Sequence, residues 1–323
     1  MPLLNWDRRR EKAASALSAK EIVFGLESEL GAAGGTGGRA LPSEAGTRGK
    51  LFESCANPGC RTGWLHLWRS RSAPVVEGGW SCSSECTAAL LTAALRREMS
   101  GNAGGPETHR HRIPLGLLML QQGWINNEQL RAAVEQQKSS GGRLGYWLVR
   151  KQNVSEQLVA RALGLQWSCP VLGMEFYDGE GLTSLVPRLF VDAFGALPLR
   201  VAAGKILYLG FEGRLDPVLA LSLERMTGLR VESGIVSESE FRPAHTRLLG
   251  AKFPNAELIE SASEQVLVET LTKRLERVKP VECRVVRVHD CLWVRLWLRP
   301  QKGSLAKMDE VQDLICSVRQ RVR

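Results

Sequence analysis

Four cysteines near the beginning of the sequence have the spacing of a metal site. Four residues separate Cys55 from Cys60, three separate Cys82 from Cys86, and 21 lie between the two pairs. Zn²⁺ binds four thiolate or imidazole ligands in a tetrahedron, and two turns that each present two cysteines supply such a set. The pattern predicts a structural zinc ion rather than a catalytic one, because four thiolates leave no open position.

The residues around these cysteines favour the zinc prediction and leave two alternatives open. Asn57-Pro58-Gly59 is typical of a tight turn, and Cys86 begins an apolar helix over residues 88–95. The N-terminal amides of such a helix favour a thiolate. A segment with so few aliphatic core positions gains its stability from a metal. The alternatives are four reduced cysteines without a metal, or His66 in place of one cysteine ligand.

Aromatic and basic side chains are concentrated in the same segment: Trp64, Trp68, Trp80, Arg61, Arg69 and Arg71. A surface of this composition can stack on nucleic-acid bases or bind a protein. The tryptophans can also pack around the metal, and this is the interpretation we favour.

A second set of chemically interesting residues belongs to an internal repeat between residues 112 and 166. Leu115-Gly116 recurs as Leu144-Gly145, and Gln137 recurs as Gln166, each at an offset of 29 residues. A fixed period indicates one supersecondary unit used twice. The apolar spacing predicts a short helix, a tight turn and a longer helix in each copy. Asn126 or Asn127 begins the first long helix and Ser155 the second.

The repeat and the motifs after it resemble a known family. These motifs are Val186-Pro187, Leu197-Pro198-Leu199, a strand over 206–211, Leu215-Asp216-Pro217 and Thr227-Gly228-Leu229-Arg230-Val231. In this order they make residues 112 to about 249 similar to the N-terminal domain of type II secretion and type IV pilus assembly ATPases. The resemblance implies cyclic di-GMP as a possible ligand, because a repeat-bearing subgroup (MshEN-like) binds it through its Arg-Leu-Gly turns and terminal glutamines.

Matched position by position, the resemblance implies a ligand site made of Leu115, Gly116, Gln137, Arg143, Leu144, Gly145 and Gln166. The first copy departs from the pattern because Pro114 stands where an arginine is expected, and Arg112 or Arg110 could substitute. Arginine pairs with phosphate or guanine, and glycine lets a ligand approach the backbone. Two similar units suit a ligand with two-fold symmetry. Alternatively, the Leu-Gly pairs are packing positions only.

The sequence lacks the phosphate-binding loop of these ATPases, Gly-x4-Gly-Lys-[Ser/Thr]. We therefore expect no ATPase core, also because few residues follow Gly250. The first hypothesis is a non-enzymatic regulatory or adaptor protein that senses cyclic di-GMP or docks on a secretion or pilus component. The alternative is a zinc-dependent module that binds nucleic acid or a protein. An enzyme confined to the C-terminal residues is the least favoured hypothesis.

The sequence predicts an α+β multidomain protein. It combines a small zinc-binding module, a helical repeat subdomain with a small α/β subdomain, and a C-terminal α-β-β-α unit. The final helix is predicted from an apolar stripe at Met308, Val311, Ile315, Val318 and Val322. The expected boundaries are an N-terminal helix and glycine-rich linker (1–49), the zinc module (50–100), the repeat (108–180), the α/β subdomain (181–250) and the last unit (258–323).

Composition constrains the function only broadly. The chain has 323 residues, enough for two or three domains, and a formal net charge of +9. That charge is compatible with nucleic acid, anionic lipid or a phosphorylated ligand and selects none of them. The sequence contains no apolar run long enough for a membrane span and no recognisable signal peptide, so the expected location is the cytoplasm.

Overall fold

The structure is a computed structural model that describes residues 54–61, 74–101, 112–300 and 305–318. Over these ranges the fold is mixed α/β with three small sheets. Within the same ranges, no helix combines the length and the apolar character that a membrane crossing requires.

The repeat region consists of four helices, as predicted. They are α2 (Leu115–Gln121), α3 (Asn127–Ser140), α4 (Leu144–Gln152) and α5 (Glu156–Trp167). Helix α3 begins where Asn126 accepts a hydrogen bond from the Gln129 amide, and the Gln129 side chain accepts one from the Asn126 amide. This capping box pairs two amides that a helix start leaves without partners. Ahead of the repeat lies α1 (Ser84–Ser100), which follows the hairpin β1 (Val75–Val76) and β2 (Gly79–Trp80).

A small α/β unit follows the repeat region. It contains α6 (Arg188–Phe194), β3 (Ala196–Ala202), β4 (Ile206–Phe211), α7 (Pro217–Thr227), β5 (Arg230–Ile235) and α8 (Glu238–Leu249). Strands β3 and β4 form the predicted antiparallel hairpin, and β5 pairs with β4 in parallel. Helix α7 begins at Asp216, which accepts a hydrogen bond from the Leu219 amide, and ends at Gly228 with φ of +76°. Helices α6 and α8 were not predicted.

The C-terminal residues form a four-stranded sheet with one helix. Its elements are β6 (Asn255–Ser261), α9 (Glu264–Val278), β7 (Glu282–Val288), β8 (Cys291–Trp297) and β9 (Val311–Val318). The strand order is β6-β9-β8-β7, with β6 parallel to β9 and the other pairs antiparallel. We call this the C-terminal sheet.

The predicted α-β-β-α unit is wrong at its C-terminal end and lacks a strand that precedes its first helix. Strand β6 precedes the helix, and residues 311–318 form β9 instead of a final helix. Val311 and Ile315 face one core while Leu314 and Cys316 face another. A strand with both faces buried lacks the alternation of polar and apolar residues, so its apolar spacing imitates a helical stripe. Met308 lies in a short 3-10 turn, and Val322 lies outside the described residues.

One face of the C-terminal sheet packs against two helices that are distant in the sequence. Buried residues of α1, α9 and the sheet form one hydrophobic core, including Leu91, Leu95, Leu267, Leu271, Leu275, Val285, Val294 and Leu314. Helix α1 precedes the repeat region, whereas α9 follows the α/β unit. The two segments that flank residues 112–250 therefore share a core.

The opposite face of the C-terminal sheet packs against the α/β unit around a buried ion pair. Arg295 donates to both carboxylate oxygens of Asp313 at 2.7 and 2.8 Å, and Trp293 Nε1 donates to the same carboxylate at 2.7 Å. Arg295 also donates to the carbonyl of Leu185, just before the α/β unit. Since the Trp293 ring meets Phe190 of α6 edge to face, polar and aromatic contacts join the sheet to that unit.

Candidate functional site

The four predicted metal ligands lie together. The Sγ atoms of Cys55, Cys60, Cys82 and Cys86, here called the cysteine cluster, are all within 4.8 Å of one another. Cys60 and Cys82 are 3.5 Å apart, and Cys82 and Cys86 are 3.6 Å apart. Zinc–sulfur bonds of ~2.3 Å in a tetrahedron place the sulfurs ~3.8 Å apart. The cluster therefore has the size and donor set to hold one metal ion.

Local hydrogen bonds hold the cysteine cluster in position. The Asn57 carbonyl accepts from the Cys60 amide at 3.0 Å, which closes the turn between the first pair. The Asn57 amide group donates to Cys86 Sγ at 3.3 Å. At the start of α1, Ser83 Oγ accepts from the Cys86 amide. The cluster is thus assembled by a turn and a helix start, both visible in the sequence.

The electrostatics of the cluster differ between its cysteines. Burial raises the pKa of Cys86, but hydrogen bonds from Ser83, Asn57 and neighbouring cysteines outweigh it, and the pKa lies below its ordinary value. Burial raises the pKa of Cys55 to about 12. A bound divalent ion deprotonates coordinating thiols regardless of such differences.

Several residues named with the zinc module lie outside the described residues: His66, Trp64, Trp68, Arg69 and Arg71. Of the others, Arg61 is exposed and Trp80 is half-buried. The Trp80 carbonyl accepts a hydrogen bond from the Ala56 amide, which ties β2 to the turn that carries Cys55.

The two Leu-Gly pairs of the repeat pack against each other reciprocally. A Cβ atom built on Gly116 would lie 3.1 Å from Leu144 and 2.5 Å from Leu130. A Cβ atom on Gly145 would lie 3.8 Å from Leu115 and 2.8 Å from Val159 of α5. The two sets of contacts correspond at the repeat offset of 29 residues. Leu130 at Gly116 corresponds to Val159 at Gly145, and Leu144 at Gly116 corresponds to Leu115 at Gly145. The repeat region therefore has approximate two-fold symmetry, and its glycines let the short helices approach closely.

The two terminal glutamines repeat this exchange. Gln137 of the first copy donates to the carbonyl of Gly142, just before the second Leu-Gly pair, at 3.0 Å. Gln166 of the second copy donates to the carbonyl of Ile113, just before the first Leu-Gly pair, at 2.8 Å. Each glutamine thus holds the start of the other copy's short helix, which is a structural role.

The arginines of the two copies have different surroundings. Arg143 is largely exposed and forms an ion pair with Glu212 of the α/β unit at 2.9 Å. Glu212 also pairs with Arg242 of α8 at 3.1 Å. Arg112 lies over the ring of Trp167, with its guanidinium carbon 3.5 Å from the ring centroid. Arg110 lies outside the described residues.

Sequence reasoning missed Glu212, which pairs with Arg143 from another unit, and Arg242, which pairs with the same carboxylate. No local motif marks them, since they follow Arg143 at long range along the chain. The repeat and the α/β unit are further joined by Glu156, which accepts a hydrogen bond from the Ser239 amide at 2.7 Å. One predicted ligand residue, Arg143, therefore lies at a junction between the two units.

Comparison with known proteins identifies relatives for part of the chain. No protein-family profile matches it. A type IV pilus assembly ATPase PilB of Myxococcus xanthus is 28% identical over 147 residues, which is 44% of this chain and 25% of that protein. The PilB of Thermus thermophilus is 31% identical over 140 residues, 41% of this chain and 15% of that protein. The chain thus spans a quarter or less of the length of these curated relatives.

Solved structures give matches of similar extent. One described as MshE with cdg is 24% identical, covers 42% of this chain and 99% of that one, and has a TM-score of 0.33. An N-terminal domain of XpsE is 20% identical, covers 41% of this chain and 92% of that one, and has a TM-score of 0.30. From the PilB sequences, the predicted resemblance to the N-terminal domain of secretion and pilus assembly ATPases is confirmed.

Proposed function

We propose that this protein is a non-enzymatic regulatory or adaptor protein whose repeat region binds cyclic di-GMP. The observation that carries the proposal is the reciprocal packing of the two Leu-Gly pairs. It brings the starts of the two short helices together around an approximate two-fold axis. A dinucleotide with two phosphates and two guanines has the matching symmetry.

Arg143 is the side chain with the chemistry to recognise such a ligand. Its guanidinium can pair with a phosphate or with the acceptor edge of guanine. The largely exposed side chain reaches Glu212, so it is accessible from solvent. In the first copy, Arg112 lies three residues before Leu115, although its position on Trp167 differs from that of Arg143. We therefore expect unequal contributions, with the second copy contributing more affinity.

The partner we propose is a component of a secretion or pilus machine. The support is the similarity to PilB over 147 residues of this chain. The sequence contains no phosphate-binding loop, so the protein would act by binding rather than by ATP hydrolysis. The location we propose for this function is the cytoplasm.

For the cysteine cluster we propose zinc in a structural role. Four thiolates satisfy a tetrahedral ion completely, and the sulfur separations suit zinc. Metal analysis of the purified protein should give one zinc per chain. Cys82→Ser should lose it, whereas Cys169→Ser, which changes a cysteine outside the cluster, should retain it.

Calorimetric titration of the whole protein with cyclic di-GMP tests the ligand proposal. We expect one ligand per chain and at least tenfold weaker binding for Arg143→Ala, since a charge-assisted hydrogen bond contributes about 1.5–3 kcal/mol. Arg150→Ala, in the short helix that follows Arg143, is the matched control and should bind normally. Absence of heat with folded wild-type protein at high micromolar ligand would refute the proposal. Salt-dependent retention on DNA or RNA instead would favour the nucleic-acid alternative.

A further inference from the structure

Helix α1 connects the cysteine cluster to a buried carboxylate at its other end. Cys86 lies in the first turn and Glu98 in the last. At 1.5 Å per residue, the two residues are separated by about 18 Å along the helix axis. Between them, Leu91 and Leu95 are fully buried in the core shared with α9 and the C-terminal sheet. A displacement of one end of α1 is therefore transmitted to the other.

Glu98 joins three parts of the molecule. Its side chain is only 3% exposed. It accepts hydrogen bonds from Arg225 at the end of α7, from the Arg287 amide of β7 at 3.1 Å, and from Arg97 at 2.9 Å. Burial raises the pKa of Glu98, but the Arg225 contact and these other hydrogen bonds outweigh it, and the pKa is lowered. The carboxylate is stable in this place only while its partners surround it.

The hairpin that carries one side of the cluster lies along β7. The Glu77 amide donates to the Cys283 carbonyl at 2.8 Å, and the Val285 amide donates to the Glu77 carboxylate at 2.8 Å. Val76 is the buried apolar residue of this hairpin. Two strands of two residues each are too short to hold themselves in place, so the hairpin depends on the cysteine cluster and on β7.

We propose that metal binding at the cysteine cluster controls how α1 and the β1–β2 hairpin dock on the C-terminal sheet, and that Glu98 reports this state to α7. The inference rests on the proposed metal site. The metal joins the hairpin, through Cys82, to the start of α1, through Cys86. Without it, the hairpin separates from β7 and α1 moves away from Arg225. Metal occupancy of the cysteine cluster is thereby coupled, through Glu98 and Arg225, to the domain that resembles the pilus ATPases.

Reciprocity makes the proposal testable from the far end of the helix. If metal binding favours the docked state, then a change that weakens docking must weaken metal binding by the same factor. Glu98→Gln is such a change, about 18 Å from the metal. We expect it to lower zinc affinity on the order of fivefold or more, measured with the full chain by competition against a chromophoric chelator. Arg96→Gln, which removes an exposed ion pair of the same helix with Glu264, should stay within about twofold.

A second measurement needs no variant. Hydrogen exchange of the wild-type protein, loaded with zinc and then stripped by a chelator, should show faster exchange of the β7 amides, including Val285, without zinc. Unchanged β7 exchange, or normal zinc affinity of folded Glu98→Gln, would overturn the coupling while leaving the metal site intact. Failure of the wild-type protein to bind zinc at all would instead refute the proposed metal site, and the coupling with it.

Discussion

Replacing Asp313 with alanine should destabilise the protein more than any change to a surface charge. Asp313 is fully buried, and its carboxylate accepts hydrogen bonds from Trp293 Nε1 and from two nitrogens of Arg295. The substitution leaves the Arg295 guanidinium, itself 2% exposed, without its counterion. Breaking a buried ion pair from one side typically costs about 3–5 kcal/mol. For a domain of ordinary stability, about 5–15 kcal/mol, this is a large fraction.

The assay is guanidinium unfolding of the full chain followed by far-ultraviolet circular dichroism. Tryptophan fluorescence is a poorer probe here, since the substitution alters the surroundings of Trp293 directly. Asp309→Ala is the matched control, because Asp309 and Arg299 form an exposed pair at 3.8 Å. We expect the control to change the free energy of unfolding by less than about 0.5 kcal/mol.

A double variant separates the cost of a stranded charge from the value of the pair. Arg295→Met combined with Asp313→Leu removes both charges and keeps the volume apolar. We expect it to recover most of the stability lost by Asp313→Ala, since apolar replacement of a buried ion pair is often neutral or better. A loss below about 1 kcal/mol for Asp313→Ala, or a double variant as unstable as the single one, would refute the reasoning.

Three further predictions concern the repeat and its neighbours. Glu212→Gln should strengthen cyclic di-GMP binding by up to about fivefold in calorimetry, because it releases Arg143 from an ion pair worth at most ~1 kcal/mol. Gly145→Ala should lower the free energy of unfolding: overpacking against a β-branched side chain costs about 1–3 kcal/mol and exceeds the gain in helix propensity of ~1 kcal/mol. Asp216→Asn should flatten the acid dependence of stability. Burial raises the pKa of Asp216, but the hydrogen bond from His289, its charge and the backbone hydrogen bonds of Leu219 and Val218 together outweigh it, and the folded-state pKa is lowered. This stabilisation is present above the unfolded pKa of about 3.9 and is lost as the pH falls through the folded-state value.

Each of these predictions has a control. Glu238→Gln removes a partner of Arg242 without touching Arg143, and should leave ligand affinity unchanged. Gly123→Ala changes a glycine with φ of +69° and open surroundings, so any loss there reflects backbone strain rather than packing. Asparagine at position 216 can still cap α7, so a stability loss at neutral pH larger than about 1 kcal/mol, with unchanged acid dependence, would contradict the charge argument.

Local signals in the sequence predicted much of the repeat and the α/β unit correctly. The capping pair Asn126 and Gln129 marks one helix start, Asp216-Pro217 marks another, and Gly228 ends α7. Each of these effects operates within a few residues, so the sequence shows it directly. The cysteine cluster was predictable for the same reason, since its two pairs are closely spaced.

Features that depend on distant residues were not predictable in this way. Strand β9 is buried on both faces, and its apolar spacing therefore resembles that of a helix. The Arg143–Glu212 contact joins residues from different units, and neither carries a local motif for the other. The shared core of α1 and α9 likewise depends on the return of the chain to its earlier segment.

The core that α1 shares with α9 and the C-terminal sheet has a consequence for folding during synthesis on the ribosome. Helix α1 is translated before the repeat region, but the strands that bury Leu91 and Leu95 are translated after the α/β unit. Until β9 is released, this helix presents an uncovered apolar side, and the repeat region and α/β unit have time to fold in between. Long-range pairing of this kind slows folding and lengthens exposure to aggregation. A metal ion that binds early would hold the β1–β2 hairpin in place until the strands of the C-terminal sheet are synthesised.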